Sequence, residues 1–218
     1  MNKKTVALLM ACVLLVGAAI GGTMAWLVDD TDPVTNVFTV GDINIDLKEH
    51  NYVPETNTVG DTEVIKNDNY LFVPGDTLPK DPFVTVKANS EKCYLFVRVS
   101  DDQNSYNGVD PIIHWSVQPK EIGNTTKVDW KQFEVDEKLG KIYYCIVEKS
   151  ENDQIWTILA DNVVKVDEKV TKDMVDHING NKPVIKISAA AVQYDNIEDV
   201  AKAFKETPDA FVPAEFKN

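Results

Sequence analysis

Residues 83–99 have the sequence FVTVKANSEKCYLFVRV, a stretch in which two strand-like runs flank a turn. Phe83–Val86 and Cys93–Val99 are rich in β-branched and aromatic residues, and Asn89-Ser90-Glu91 forms the polar turn between them. The pattern predicts two strands joined as a hairpin. In the second strand, Cys93, Leu95, Val97 and Val99 share one face, and Tyr94, Phe96 and Arg98 share the other. Because both faces are largely apolar, this strand is predicted to lie deep in a sandwich.

Further strand-like runs follow the same pattern along the chain. They lie at Ile43–Leu47, Ile112–Val117, Trp130–Val135, Ile142–Val147, Ile155–Leu159, Val163–Val166 and Val184–Tyr194. Pro74-Gly75-Asp76 predicts a turn in which glycine accepts a positive φ. Asn196 is predicted to cap one short helix that ends before Pro208, with Ile197, Val200, Ala201 and Phe204 on its buried side. Many short strands with so little helix indicate an all-β fold, an antiparallel β-sandwich with one or two short helices.

The first 25 residues have the organisation of a helical signal peptide. Lys3-Lys4 is a positive start, and the apolar run Thr5–Ile20 follows it. Thr23 and Ala25 then occupy the −3 and −1 positions of a signal peptidase site before Trp26. The alternative is a retained membrane anchor, because the uncharged run is long enough for a bilayer, which needs ~20 apolar residues.

Cleavage would leave a shorter and more acidic chain. Residues 1–25 carry two lysines and no acidic residue, so their removal leaves 193 residues and changes the net charge from −13 to −15. We expect a mobile segment at 26–36, a β-sandwich domain at 37–206 and a C-terminal tail at 207–218. Such an acidic chain is a poor partner for nucleic acid or for an anionic membrane surface.

Two cysteines remain after Cys12 leaves with the leader. Cys93 and Cys145 both lie in strand-like runs, and an even number of cysteines in an exported chain is compatible with a disulfide. Two buried free thiols in neighbouring strands are the alternative, and the sequence leaves both open.

No constellation of catalytic residues is found. The histidines His50, His114 and His177 do not form HExxH, and there is no GxSxG. We therefore expect no catalytic, cofactor-binding or metal site and no enzymatic activity. The loop Asp101–Asp110 has oxygen ligands suited to calcium, but its spacing is not that of an EF-hand, which favours a solvated turn.

Several stretches resemble one family of exported proteins. They are Gly21–Leu27, Asn36–Gly41, the alternation of Ile43, Ile45 and Leu47, Val73–Asp76, Lys80–Val86, Cys93–Val99 and Ala189–Gln193. In these residues the chain is similar to the TasA/camelysin group, secreted proteins of Gram-positive bacteria that a dedicated signal peptidase, SipW, processes. The similarity is dense over residues 1–100 and again near 185–205.

The resemblance implies a jelly roll that is secreted to the extracellular matrix or cell surface and self-associates into biofilm fibres. Trp26-Leu27-Val28 would be an exposed apolar tip after cleavage, suited to completing the sheet of the next subunit. Camelysin-like members imply a metalloprotease instead, but no metal ligands can be matched here. A third alternative is a glycan-binding or surface-binding module, in which Trp115, Trp130 and Trp156 would stack on sugars, although tryptophans in strands more often pack in the core.

Overall fold

The structure is a computed structural model. It describes residues 42–67, 70, 73–101, 104–106, 110–117, 120–122, 126–171, 174, 183–197 and 199–217. These residues belong to one compact unit, residues 41–218. The predicted signal peptide, its cleavage site at Thr23, Ala25 and Trp26, and the apolar tip Trp26-Leu27-Val28 lie outside the described residues.

The described elements are mostly short strands. They are β1 Ile45–Val53, β2 Thr58–Val64, β3 Thr77–Pro79, β4 Phe83–Val86, β5 Cys93–Ser100, β6 Ser105–Tyr106, β7 Asp110–Pro111, β8 Ile113–His114, β9 Lys120–Ile122, β10 Thr126–Val128, β11 Lys131–Phe133, β12 Lys141–Val147, β13 Gln154–Thr157, β14 Val163–Val166 and β15 Lys186–Gln193. A six-residue helix, α1, spans Val200–Lys205. Short 3₁₀ turns lie at Glu137–Leu139, Ala160–Asn162 and Ala214–Phe216.

Two four-stranded sheets make up most of the fold. The first has the order β13-β4-β1-β2 and the second has the order β11-β12-β5-β15. A three-stranded sheet, β3-β14-β8, and two small pairs, β9-β10 and β6-β7, complete the described strands. Each of these pairings is antiparallel, which confirms the predicted all-β class.

The hairpin predicted for residues 83–99 is wrong, because its two strands enter different sheets. β4 pairs with β1 and β13, whereas β5 pairs with β12 and β15. The connection between them is bonded to the residues that precede β1. The amide of Lys87 donates to the carbonyl of Asn44 at 2.9 Å, and the amide of Glu91 donates to that of Asp42 at 3.1 Å. These bonds direct the chain across from one sheet to the other.

The first hydrophobic cluster lies between the two large sheets. Its buried members include Val84, Val86, Cys93, Leu95, Val97, Val99, Tyr143, Cys145 and Val147. The residues predicted for one face of β5 are therefore confirmed as core. Ile43, Ile45 and Leu47 pack against the same cluster from β1 and the residues before it, as their alternation predicts.

A second cluster covers the opposite face of the second sheet. It contains Tyr94, Phe96, Leu139, Ile142, Ala190, Val192, Ala203, Phe204, Phe211 and Val212. The predicted tail thus contributes to the core, since Phe211 and Val212 are buried. Arg98 also binds the tail: its guanidinium donates to the carbonyls of Leu139 at 2.7 Å and Phe211 at 2.9 Å. The two apolar faces of β5 are explained by a cluster on each side.

The N-cap of the helix lies three residues after the predicted one. Asp199, not Asn196, is the N-cap, and its carboxylate accepts from the amides of Ala201 at 2.8 Å and Lys202 at 3.4 Å. Asn196 instead has a positive φ of 68° in the turn before the helix. Phe204 is buried and Ile197 and Val200 pack against the second cluster, as predicted, whereas Ala201 is exposed and Ala203 is buried in its place.

Gly140 and Gly75 both have a positive φ, but they differ in the space that a side chain would have. Gly140 has φ 76° and ψ −151°, a region that only glycine adopts readily, and a methyl group there would lie 2.4 Å from the carbonyl oxygen of Val99. Gly75 has φ 84° in the predicted turn, but its nearest neighbour would be an ordinary 3.5 Å away.

We expect Gly140→Ala to lower the free energy of unfolding by about 3 kcal/mol, because it adds a clash to backbone strain. Gly75→Ala, with strain alone, should cost about 1 kcal/mol. Urea denaturation of both variants measures the difference, and equal losses would contradict the clash at Gly140.

Candidate functional site

A groove with a volume of about 550 Å³ lies along β1 and the start of β15. Its apolar lining comes from both large sheets and from the three-stranded sheet, and comprises Leu47, Ile65, Leu78, Pro82, Ile113, Val164, Pro183, Val184, Ile185 and Ile187. A concave surface of this size with mainly apolar walls and a few polar groups has the usual character of a binding site.

The groove is open because the second sheet ends at β15. Among the described strands β15 pairs with β5 alone, and it contacts β1 across the sandwich. The first sheet continues past β1 to β2, whereas no described strand lies beyond β15. Within the described residues, the eight residues of β15 therefore have one side without a strand partner, where main-chain groups could pair with an added strand.

Ile65 is the most exposed large apolar residue at this groove. It follows β2 directly, lines the groove and is 90% exposed. A scattered apolar side chain on a surface needs no explanation, but Ile65 adjoins the apolar walls formed by Leu47 and Ile185. Ile65 therefore adds to the apolar lining of the groove.

A buried ion pair lies in the same groove. The alternation of β1 places Glu49 on the inward face, after Ile45 and Leu47, and Glu49 is only 7% exposed. Its carboxylate lies 2.7 Å from the ammonium of Lys80 and accepts from the amide of Asn67 at 3.1 Å. These partners compensate for the removal of the carboxylate from water.

The side chain of Asn67 also hydrogen-bonds to the backbone of β1 where that strand is irregular. The pairing of β1 with β2 changes register between His50 and Tyr52. The side-chain amide of Asn67 donates to the carbonyl of His50 at 2.8 Å and accepts from the amide of Tyr52 at 2.9 Å. One side chain thus replaces the missing strand partner at the bulge beside the groove.

Tyr70 lies against this polar group. Its ring stacks on that of Tyr52 with centroids 4.5 Å apart, and the Lys80 ammonium lies 5.4 Å from its centroid. Burial raises the pKa of Tyr70 well above its usual range, and the carboxylates of Glu49 and Asp81 add to the shift. The phenol therefore stays neutral beside the Glu49–Lys80 pair.

Lys80→Met should lower the free energy of unfolding by about 3–5 kcal/mol, because it leaves the Glu49 carboxylate buried without its cation. The matched control is Lys165→Met, which removes the exposed pair with Glu168 at 3.2 Å and should cost less than about 1 kcal/mol. Chemical denaturation at neutral pH measures both. Similar small losses would show that the Glu49–Lys80 pair is well hydrated.

The histidines are bonded to separate carboxylates. His50 Nδ1 lies 2.6 Å from Asp81 Oδ2, and His114 Nε2 lies 2.8 Å from Asp167 Oδ2. The bond from His114 lowers the pKa of Asp167. His177 is outside the described residues. Within the part of the chain that the structure describes, no three His, Cys, Asp or Glu side chains are grouped so as to hold a metal ion.

Asp101, from the loop with calcium-like composition, binds protein groups. Its carboxylate accepts from Trp115 Nε1 at 2.8 Å and from the Asn104 side chain at 3.4 Å. Residues 102–103 and 107–109 of that loop lie outside the described residues, so the solvated turn stays a prediction.

The three tryptophans considered for sugar stacking contact the first cluster. Trp130 is a buried member of it, and its Nε1 donates to the carbonyl of Thr157 at 2.8 Å. Trp115 and Trp156 are partly buried against the cluster. Core packing therefore accounts for much of their surface.

Cys93 and Cys145 are buried free thiols on neighbouring strands. In the register of β5 and β12, Cys93 lies opposite Val147, and Cys145 lies opposite Leu95. The cysteines are thus diagonal neighbours on one face, with Cβ atoms roughly 7 Å apart. A disulfide needs Cβ atoms about 3.5–4.5 Å apart, so a bridge would require a backbone shift. Burial raises the pKa of Cys93 to about 11, and it also raises the pKa of Cys145.

We expect both thiols to react with Ellman's reagent only after unfolding, because burial suppresses both access and the thiolate. Thiol titration with and without guanidinium checks this. Absence of reactive Cys93 and Cys145 after unfolding, with a mass lower by two hydrogens, would show that they form the disulfide.

No protein family, curated protein or solved structure compared with this chain matches it. None of the helices among the described residues has the length and apolar character that crossing a bilayer requires.

Proposed function

We propose that this protein is a secreted, TasA-like structural subunit with a jelly-roll fold that assembles into extracellular fibres or coats. Trp26-Leu27-Val28 of one subunit would add as a strand to the next. The observation that carries the proposal is the free edge of β15 beside an apolar groove. It supplies an acceptor for an extended segment, the property that strand donation requires.

The jelly-roll topology is supported by the way the chain alternates between its two sheets. Successive strands β4 and β5 lie in different large sheets, and so do β12 and β13. Crossings of this kind are typical of double-sheet Greek-key folds such as the jelly roll. The resemblance of Lys80–Val86 and Cys93–Val99 to the TasA/camelysin group is consistent with this topology.

The donor and the acceptor lie at different places on one chain. An N-terminal segment that binds the β15 edge of a second copy makes a head-to-tail contact, which leaves a free donor and a free acceptor at the two ends. Such a contact continues into a filament. Main-chain hydrogen bonds would set the register, and alternate side chains would enter the apolar groove.

Electron microscopy of the secreted chain, with and without residues 26–36, tests the proposal. We expect fibres from the complete secreted chain and monomers from the shortened one. If both polymerise equally, or if both stay monomeric, strand donation by this segment is wrong.

A matched pair of point variants tests the groove. Ile65→Ser should impair assembly because Ile65 lines the groove, whereas Ile155→Ser should not, because Ile155 lies on β13 at another sheet edge. These side chains are 90% and 59% exposed, so neither change should disturb folding. Fibre yield in sedimentation measures the effect, and equal yields would locate the acceptor elsewhere.

A further inference from the structure

The charged groups of the β15 groove are mostly cationic, in contrast to the chain as a whole. The chain has 22 Lys and Arg against 35 Asp and Glu. The groove nevertheless contains four lysines, Lys48, Lys66, Lys80 and Lys186, and one acidic residue, Glu49. A lysine of this set that no bonded carboxylate neutralises favours an anionic partner over a cationic one.

The lysines differ in how much of their charge remains available. Lys80 is bonded to Glu49, and Lys48 lies 2.9 Å from Glu63. Lys186, at the start of β15, is exposed and has no acidic partner among the described residues. Lys186 therefore adds an exposed positive charge at the first position of β15.

We propose that this groove selects an apolar strand followed by acidic residues, and that its occupant is the segment Trp26–Asp32 of a second copy. This inference rests on the proposed function. The segment has the sequence WLVDDTD, in which an apolar tip precedes Asp29, Asp30 and Asp32. The apolar tip suits the apolar walls of the groove, and the aspartates complement the positive charge of Lys186.

The position of the chain ends supports this choice of occupant. The C-terminal residues Phe211 and Val212 are already buried in the second cluster. The N-terminal segment that remains after cleavage, residues 26–41, lies outside the described residues. Sixteen extended residues span at most roughly 55 Å, enough to reach a neighbouring subunit. The charge pairing would fix which copy-to-copy contact forms and would accelerate it.

The test measures fibre elongation by light scattering with the secreted chain. Two variants alter the pairing: one carries Asp29→Asn, Asp30→Asn and Asp32→Asn, and the other carries Lys186→Glu. The control, Lys202→Glu, reverses an exposed lysine on α1. At low salt we expect each test variant to elongate about 10-fold more slowly than the unaltered chain, and the control to stay within about twofold. Raising salt should reduce the difference in elongation rate between Lys186→Glu and Lys202→Glu, two variants of equal net charge.

Two different failures are distinguishable. If both test variants elongate like the unaltered chain at every salt concentration, while removal of residues 26–36 still abolishes fibres, the charge selection is wrong and strand donation stands. If fibres form without residues 26–36, the proposed function fails and this inference fails with it. Thermal unfolding of Lys186→Glu should match that of the unaltered chain, because the side chain is exposed.

Discussion

The burial of β5 on both faces is the constraint on which the rest of the structure depends. A strand that pairs on both sides and is apolar on both faces must have a layer above it and a layer below it. The first large sheet supplies one layer, and α1 with the C-terminal residues supplies the other. The half-buried Arg98 connects the second layer to the sheet, because its guanidinium donates to the carbonyls of Leu139 and Phe211. The last residues of the chain are consequently part of the fold.

This arrangement also determines where the fold is incomplete. With β12 on one side of β5 and β15 on the other, the second sheet ends at β15, and the apolar side chains beside that edge line a groove. Proteins usually protect such edges with charges, bulges or covering loops. Here the described residues provide a bulge in β1 and lysines at the rim, but they leave the edge itself accessible. In the proposed assembly, such an edge would resist indiscriminate pairing and still admit a strand of the right charge.

The sequence predicted most of the longer strands, but it missed β2 and gave β4 the wrong partner. Alternation identified both faces of β5 and the inward residues of β1, because side-chain direction follows from a period of two. The partner of β4 could not be predicted, because the same apolar run fits either a hairpin or a crossing between sheets. The residues that follow β4 donate hydrogen bonds to Asn44 and Asp42, which are distant in sequence. The helix cap was misplaced because Asn196 and Asp199 are both good caps. Nothing local indicates the groove, whose lining comes from widely separated segments, although Glu49 on an apolar face was a detectable signal.

The apolar tip directly follows the leader, so leader cleavage would control when the proposed assembly begins. Before cleavage, Trp26-Leu27-Val28 continues the uncharged run that begins at Thr5, so these residues would enter the membrane together with the signal peptide. Cleavage after Ala25 would release them with a new terminal ammonium next to three aspartates, as a short apolar strand with an acidic end. A free β15 edge inside the cell would then meet no donor, since the only copies of the segment would still be attached to the leader. The chemistry that exports the subunit would also make it competent to polymerise.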